Sequence, residues 1–169
     1  MHISLISAMS ENRAIGLQGR LPWPHLPNDW ANFFAVTKGC RMIMGRKSYD
    51  TPDRLASEVG NFVITRQEDY ALEDGFTRAE SLEEALEACK NDKEVFVIGG
   101  AEIYRQALPL ADIIHLTVVH GTFKGDAFFP EFSEAKFKLK SRQDFPTDDQ
   151  HAYAYSFLVY EKTQNQSTT

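Results

Sequence analysis

Cysteine is scarce in this chain of 169 residues, which contains only Cys40 and Cys89. Two thiols cannot form the disulfide framework that staples small secreted proteins, and these two are not spaced as metal ligands. The five histidines are scattered over different predicted elements and form no metal-binding motif either. We therefore expect free, buried thiols in a reducing, cytoplasmic compartment, and no bound metal.

Positive charge and long hydrophobic runs are also lacking. The net charge of -6 argues against a nucleic-acid-binding protein, which needs a basic face to neutralise phosphates, but local basic spots could still bind a small phosphorylated ligand. No stretch approaches the roughly 20 apolar residues that span a bilayer, so we expect no membrane association. The apolar start, MHISLISAMS, has no basic leader and no small-residue cleavage site, which predicts a buried strand rather than a signal peptide.

The chain does contain enough apolar material for one core. Hydrophobic residues make up 43% and aromatic residues 12% of it, and neither a linker nor a repeat divides it. We expect one domain over residues 1–162 and a polar, frayed tail at 163–169. Nothing in the sequence requires more than a monomer.

Strand-like and helix-like patterns alternate along this domain. Strands are predicted at 2–9, 41–45, 61–65, 94–100 and 113–120, helices at 28–37, 46–50, 81–90 and 101–108, and an antiparallel pair at 136–145 and 152–162. Ser81 and Glu84 fit a capping box at the start of the third helix. Strand–helix–strand units imply a parallel sheet, which binds ligands at the carboxyl ends of its strands.

Three of these strand ends carry residues suited to phosphate. Gly45–Ser48 offers a glycine, two cations and a helix start, Thr65 and Arg66 offer a hydroxyl and a guanidinium, and Gly99–Gly100 precedes another helix. Each segment is weak evidence alone, but together they suit an extended, multiply phosphorylated dinucleotide. The GxGxxG fingerprint of the usual Rossmann fold is absent, and the cations favour NADPH, with its 2′-phosphate, over NADH.

The stretch LPWPHLPNDWANF, residues 21–33, places one carboxylate, Asp29, among apolar and aromatic bulk. Asp is favoured near the start of a helix, so Asp29 could be a solvent-facing helix-start residue. Alternatively, neighbours such as Trp30 and Phe33 desolvate it, which would raise its pKa toward the range useful for proton transfer. The residues alone leave both interpretations open.

Five motifs, AIGLQGRLPW, LPNDWANF, IMGRKSY, VIGGAEIY and GDAFFP, resemble those of bacterial chromosomal dihydrofolate reductases in order and spacing. The resemblance extends from Ile3 to about Tyr160. It implies an α/β fold in one domain, with a central, mostly parallel eight-stranded sheet, an antiparallel edge hairpin and about four flanking helices. It also implies the reduction of 7,8-dihydrofolate to 5,6,7,8-tetrahydrofolate with NADPH as the hydride donor.

The resemblance assigns catalytic roles to Asp29, Trp23 and Thr117. Asp29 looks like the family's single catalytic carboxylate, which binds the pterin amino group and ring nitrogen and promotes protonation at N5. Thr117 resembles the threonine that orients this acid, and Trp23 the tryptophan that holds an ordered water beside it. The substrate-binding residues implied in this way are Ile6, Ser7, Leu26, Asp29, Trp30, Phe33, Arg54, Ile98 and Thr117.

The same resemblance assigns the cofactor site. IGLQGRLPW looks like the mobile loop that closes over the reacting rings, and Asp126 like the residue that tethers this loop. Gly99 and Gly100 resemble a glycine pair joined by a cis peptide beside the pyrophosphate. The cofactor-binding residues implied are Ala8, Ile15, Gly16, Gly45, Arg46, Lys47, Ser48, Thr65, Arg66, Ile98, Gly99, Gly100, Ala101, Glu102, Ile103, Tyr104 and Asp126.

The sequence departs from the family pattern where the glutamate tail of folate is held. The family normally places an arginine two residues before its strand asparagine, and here that position holds Val59. A lysine often lies on the helix after the catalytic acid, and here that position holds Phe34. Arg54 is the nearest remaining cation. The chain therefore either binds the tail differently, or acts on a substrate that lacks the glutamate.

Other functions are compatible with the same fold. A reductase of the riboflavin pathway acts on a ribosylated pyrimidine and should lack an acid at the position of Asp29. A same-fold reductase could also act on another pterin. A non-enzymatic NADPH-binding module would keep the phosphate site but not Asp29 and Thr117 together, so these two residues favour the folate enzyme.

Overall fold

A computed structural model describes residues 1–164 of the chain. The strands within this range are β1 (His2–Ser10), β2 (Ala14–Gly16), β3 (Arg41–Gly45), β4 (Asn61–Ile64), β5 (Phe76–Ala79), β6 (Glu94–Val97), β7 (Ile113–Val119), β8 (Ala127–Phe128), β9 (Phe137–Phe145) and β10 (Tyr155–Lys162). The helices are α1 (Pro27–Thr37), α2 (Arg46–Tyr49), α3 (Leu82–Ala88) and α4 (Ala101–Ala107), with a 3-10 turn at Leu108–Leu110.

The predicted tail, residues 163–169, falls mostly outside the described range. Its first residue, Thr163, donates a backbone N–H to the carbonyl of Lys136 at 2.7 Å. Positions 165–169 lie outside the described residues.

Eight strands form one sheet in the order β5-β4-β3-β6-β1-β7-β10-β9. The pairs from β5 to β7 are parallel, whereas β10 pairs antiparallel with both β7 and β9. β2 and β8 form a separate antiparallel pair. The predicted fold, a mostly parallel eight-stranded α/β sheet with an antiparallel edge hairpin, is confirmed.

The central strands are apolar because both of their faces are covered. β6 lies between β3 and β1, and its residues Val95, Phe96 and Val97 are almost fully buried. The helix α3 shows how local chemistry fixes an element. The Ser81 hydroxyl accepts the N–H of Glu84 at 3.1 Å, while the Glu84 carboxylate accepts the N–H of Glu80 at 2.7 Å.

Three short strands were not anticipated from the sequence: β2, β5 and β8. β5 is the sheet edge beside β4, and among its residues only Ala79 is fully buried, so it lacks the apolar alternation of a half-buried strand. The strand predicted at 94–100 ends earlier, at Val97, because the chain then turns through Gly99–Gly100 into α4.

The sheet topology brings one set of strand ends together. The parallel strands β1, β3, β6 and β7 all end at the same edge, where α1, α2 and α4 also begin or pass. None of the helices in residues 1–164 is both long and apolar enough to cross a membrane.

Candidate active site

A cleft of about 1600 Å³ opens at the carboxyl ends of the parallel strands. It brings together most of the residues that the sequence predicted for substrate and cofactor, although these come from distant parts of the chain. From the predicted substrate and catalytic sets it is lined by Ile6, Ser7, Trp23, Asp29, Trp30, Phe33, Arg54, Ile98 and Thr117. From the predicted cofactor set it is lined by Ala8, Ile15, Gly16, Gly45, Arg46, Lys47, Ser48, Ile98, Gly100, Ala101, Glu102, Ile103, Tyr104 and Asp126.

Asp29 lies in the first turn of α1 and faces this cleft. The Thr117 hydroxyl on β7 donates a hydrogen bond of 2.6 Å to Asp29 Oδ1. Burial raises the pKa of Asp29 above its ordinary value, and the Thr117 hydrogen bond and the nearby His25 offset only part of that rise. The residue is half-buried and lines the cleft. The geometry therefore favours the buried acid over the solvent-facing helix-start residue.

Trp23 contributes a hydrogen-bond donor to the same cleft. Its side chain is buried and packs edge-on against Phe123, with ring centroids 5.9 Å apart. Its indole Nε1 is buried and has no acceptor among the described protein atoms. Since buried donors normally have a partner, this N–H suits a water or a substrate atom in the cleft.

An apolar cluster lines the same cleft as Asp29. Ile6 and Phe33 are buried and belong to one cluster with Ile98, which is partly buried. Val36 and Leu55 pack on the same cluster and also line the cleft, although the sequence reasoning did not name them. Val36 follows Phe33 by three helical positions, so periodicity could have found it, whereas Leu55 lies in a loop without any such signal.

Leu26 differs from the other predicted substrate contacts. It is buried at the start of α1 in a cluster with Trp23, Val119 and Tyr155, and it does not line the cleft. Its position places it behind the site, as support for Trp23.

Arg54 reaches the cleft but its guanidinium is already engaged. Nη2 contacts the Glu73 carboxylate at 2.5 Å, Nη1 donates to the Tyr49 carbonyl at 3.1 Å, and the guanidinium carbon lies 4.3 Å from the Tyr49 ring centroid. Phe34 and Val59, at the two positions where cations were expected, are 48% and 54% exposed. Because of these contacts, the Arg54 guanidinium is not available as an unpaired cation at this end of the cleft.

The predicted phosphate segments border the same cleft. Gly45 ends β3 and is followed at once by α2, which carries Arg46 and Lys47. The Gly99–Gly100 peptide is cis, as the resemblance implied. Gly99 has a φ of +113°, and a Cβ there would lie 2.9 Å from the Tyr104 ring, so the position requires glycine. The Tyr104 hydroxyl donates to the Ile6 carbonyl at 2.7 Å, which ties α4 to β1.

Thr65 and Arg66 line a smaller groove of about 550 Å³ rather than the main cleft. Arg46 and Glu102 line both, so the groove adjoins the cleft. An extended dinucleotide could therefore reach from one to the other.

The loop at residues 16–22 is held against the strand segment near β8. The carboxylate of Asp126 accepts the N–H of Gln18 at 2.8 Å, and the N–H of Asp126 donates to the Gly16 carbonyl at 2.9 Å. The predicted tether between Asp126 and this loop is thus present as two hydrogen bonds. Within residues 1–164, no three His, Cys, Asp or Glu side chains are grouped to hold a metal ion.

A parallel α/β sheet with an acid in the cleft and phosphate-suited strand ends is typical of a nucleotide-dependent oxidoreductase. The family model described as dihydrofolate reductase matches residues 2–162, and the chain belongs to the dihydrofolate reductase family. It is 43% identical to dihydrofolate reductase of Bacillus subtilis (strain 168) over 160 residues, covering 95% of this chain and 94% of that protein.

Further relatives agree. The chain is 41% identical over 161 residues to dihydrofolate reductase of Neisseria meningitidis serogroup B, covering 95% of this chain and 98% of that protein. It also superimposes on a solved structure, dihydrofolate reductase from Enterococcus faecalis complexed with NADP(H) and RAB-propyl, with a TM-score of 0.86 at 29% identity, covering 96% of this chain and 97% of the other.

Proposed function

We propose that Asp29 is the acid that supports proton delivery in the reaction of this family. The chain is an NADPH-dependent oxidoreductase that reduces 7,8-dihydrofolate to 5,6,7,8-tetrahydrofolate, a reaction of one-carbon metabolism. The observation that carries the role of Asp29 is its position in the cleft, hydrogen-bonded to Thr117 and with a raised pKa. A carboxyl group with a raised pKa can hold and return a proton at a higher pH than an ordinary aspartate can.

The geometry of Asp29 suits a pterin. One oxygen is occupied by the Thr117 hydroxyl, which leaves the other to accept from the substrate's amino group and ring nitrogen. The apolar cluster of Ile6, Phe33 and Ile98 can hold the flat ring and exclude water from it. Trp23 Nε1 can hold a water that carries the proton from the side of Asp29 toward N5.

NADPH supplies the hydride when it is bound. Gly45, Arg46, Lys47 and Ser48 suit its phosphates at one strand end, while Thr65 and Arg66 suit the 2′-phosphate in the adjoining groove. The Asp126 tether holds the 16–22 loop beside the nicotinamide pocket that Ala8, Ile15 and Gly16 line.

We further propose that the protein acts as a monomeric, cytoplasmic enzyme whose functional unit spans residues 1–162. Cys40 and Cys89 are free in the structure, and Cys89 is buried, which suits a reducing compartment.

The test is NADPH oxidation at 340 nm with 7,8-dihydrofolate, comparing the unchanged enzyme with Asp29→Asn. We expect the variant to lose about a hundredfold or more in turnover at neutral pH, with partial recovery at low pH, where the substrate arrives already protonated. Unchanged turnover in Asp29→Asn would contradict the acid assignment. Turnover of a ribosylated pyrimidine instead of dihydrofolate, or NADPH binding without turnover of either, would favour one of the two rival functions.

A further inference from the structure

The helix that carries Asp29 begins without a side-chain cap of its own. Its N-cap residue is Leu26, which makes no capping hydrogen bond, and Pro27 at the first helical position has no N–H. The first N–H that needs a partner is therefore that of Asn28. Helices normally satisfy such a group with a Ser, Thr, Asp or Asn side chain at the N-cap.

A residue from the far end of the chain takes this place. The N–H of Asn28 donates to His151 Nε2 at 3.1 Å, across 123 positions of sequence. The Asn28 side chain adds a second link, since its Nδ2 donates to the Tyr155 hydroxyl at 2.8 Å. The His151 ring is 4% exposed and packs on the Tyr155 ring, with centroids 5.1 Å apart.

The contact of the other ring nitrogen, Nδ1, determines which tautomer of His151 accepts the Asn28 N–H. Nδ1 lies 2.8 Å from the Asp148 carboxylate, and residues 148–151 close a tight turn between β9 and β10. Because Nε2 must accept from a backbone N–H, the ring proton sits on Nδ1 and is donated to Asp148. The Asp148 carboxylate also accepts the N–H of Gln150 at 2.8 Å, so the turn itself holds this acceptor in place.

We propose that His151 is a positioning residue, which caps α1 through its neutral Nε2 and thereby holds Asp29 in register with Thr117. Asp29 follows the capped residue directly, while Thr117 lies on β7, the neighbour of β10 in the sheet. The 148–151 turn is therefore linked to the Asp29–Thr117 contact in two ways: through the Asn28 cap on α1, and through the pairing of β10 with β7. This inference rests on the proposed role of Asp29, but the cap itself can be measured without catalysis.

The experiment compares His151→Leu, which removes the acceptor, with His151→Gln, whose amide oxygen can accept in place of Nε2. Gln150→Ala, an exposed neighbour in the same turn, is the matched control. Amide hydrogen exchange of Asn28 reports the cap, single-turnover NADPH oxidation reports the hydride step, and titration of NADPH reports the cofactor site. Asp148→Ala, which keeps the ring but removes its orienting acceptor, replaces His151→Leu if that variant does not fold.

We expect Asn28 exchange to rise about fivefold or more in His151→Leu, and the hydride step to slow about tenfold, with NADPH affinity unchanged. His151→Gln should largely restore the slow exchange of Asn28 and the rate of the hydride step. Gln150→Ala should change neither the exchange nor the rate. Unchanged exchange, faster exchange without a slower hydride step, or equal losses in the Leu and Gln variants would each overturn the proposal. Full activity of Asp29→Asn would instead overturn the proposed function, whatever the exchange of Asn28.

Discussion

Thr117 on β7 and Asp29 on α1 are 88 positions apart in sequence, yet the threonine hydroxyl donates to the Asp29 carboxylate at 2.6 Å. The hydroxyl stabilises the charged carboxylate and so works against the burial that raises the pKa of Asp29. The pair thus sets both the direction in which the acid points and the balance between its two protonation states.

Thr117→Val should raise the pKa of Asp29 further, since it removes the hydroxyl but keeps the branched shape. We expect the apparent pKa in the pH–rate profile to move upward, and the maximal turnover at low pH to fall about tenfold because the acid is no longer held in its productive orientation. Thr117→Ser keeps the donor and should retain the original profile. A Val variant with an unchanged profile would show that this hydrogen bond does not tune the acid.

Asp29→Asn should make the folded protein more stable at neutral pH. The pKa of Asp29 is raised in the folded protein, so the native state binds the proton more tightly than the unfolded chain does. The free energy of unfolding therefore falls as the pH rises from the ordinary pKa of 3.8 through the raised pKa. Asparagine removes this cost of burying charge. The stability gain over the unchanged protein, measured by urea unfolding, should be largest at pH 7 and shrink as the pH approaches 4.

Asp149→Asn is the control for the loss of one negative charge, because Asp149 is exposed in the turn between β9 and β10. If both variants gain the same free energy of unfolding at pH 7, the gain would come from the lower net negative charge rather than from the burial of Asp29.

Local chemistry explains most of what could be predicted from the sequence. The capping box of Ser81 and Glu84 and the apolar run of β6 act over a few residues, so a short window of sequence contains the whole signal. The motif segments at the strand ends are equally local, and the structure gathers most of them around one cleft.

The features that could not be predicted from the sequence depend on contacts between distant segments of the chain. β5 becomes a strand by pairing with β4, although its own residues show little alternation. Leu26, expected to touch substrate, instead packs in the core with Tyr155. His151 reaches Asn28 only because the edge hairpin brings its turn to the start of α1. No window of local sequence contains either relationship.

Arg66→Ala should weaken NADPH much more than NADH. Arg66 is exposed beside the buried Thr65 in the groove that adjoins the cleft, where a 2′-phosphate would pair with it. Losing one charge-assisted hydrogen bond corresponds to a roughly tenfold to hundredfold loss of affinity. Fluorescence titration with both cofactors measures the ratio. Arg142→Ala, on the edge strand β9, should leave both affinities unchanged, and an equal loss of NADPH and NADH in Arg66→Ala would place the 2′-phosphate elsewhere.

Removing the glutamate from the substrate should have little effect on this enzyme. The cation nearest the expected tail position, Arg54, is paired with Glu73 and stacked on Tyr49, and Asp53 adds a negative charge to the same rim. We therefore expect 7,8-dihydropteroate, which lacks the glutamate, to be reduced with a kcat/KM within about threefold of that for 7,8-dihydrofolate, since no bidentate carboxylate contact is lost. Steady-state NADPH oxidation with both substrates measures this.

Val59→Arg provides the matched test, because Val59 is exposed and stands where the family places its arginine. If a cation at this position binds the tail, the substitution should lower the KM for dihydrofolate about tenfold and leave that for dihydropteroate unchanged, the gain of one charge-assisted pair. If the unchanged enzyme strongly prefers dihydrofolate, the Arg54–Glu73 ion pair must open to bind the glutamate tail. In that case Glu73→Gln, which frees the guanidinium, should strengthen the preference.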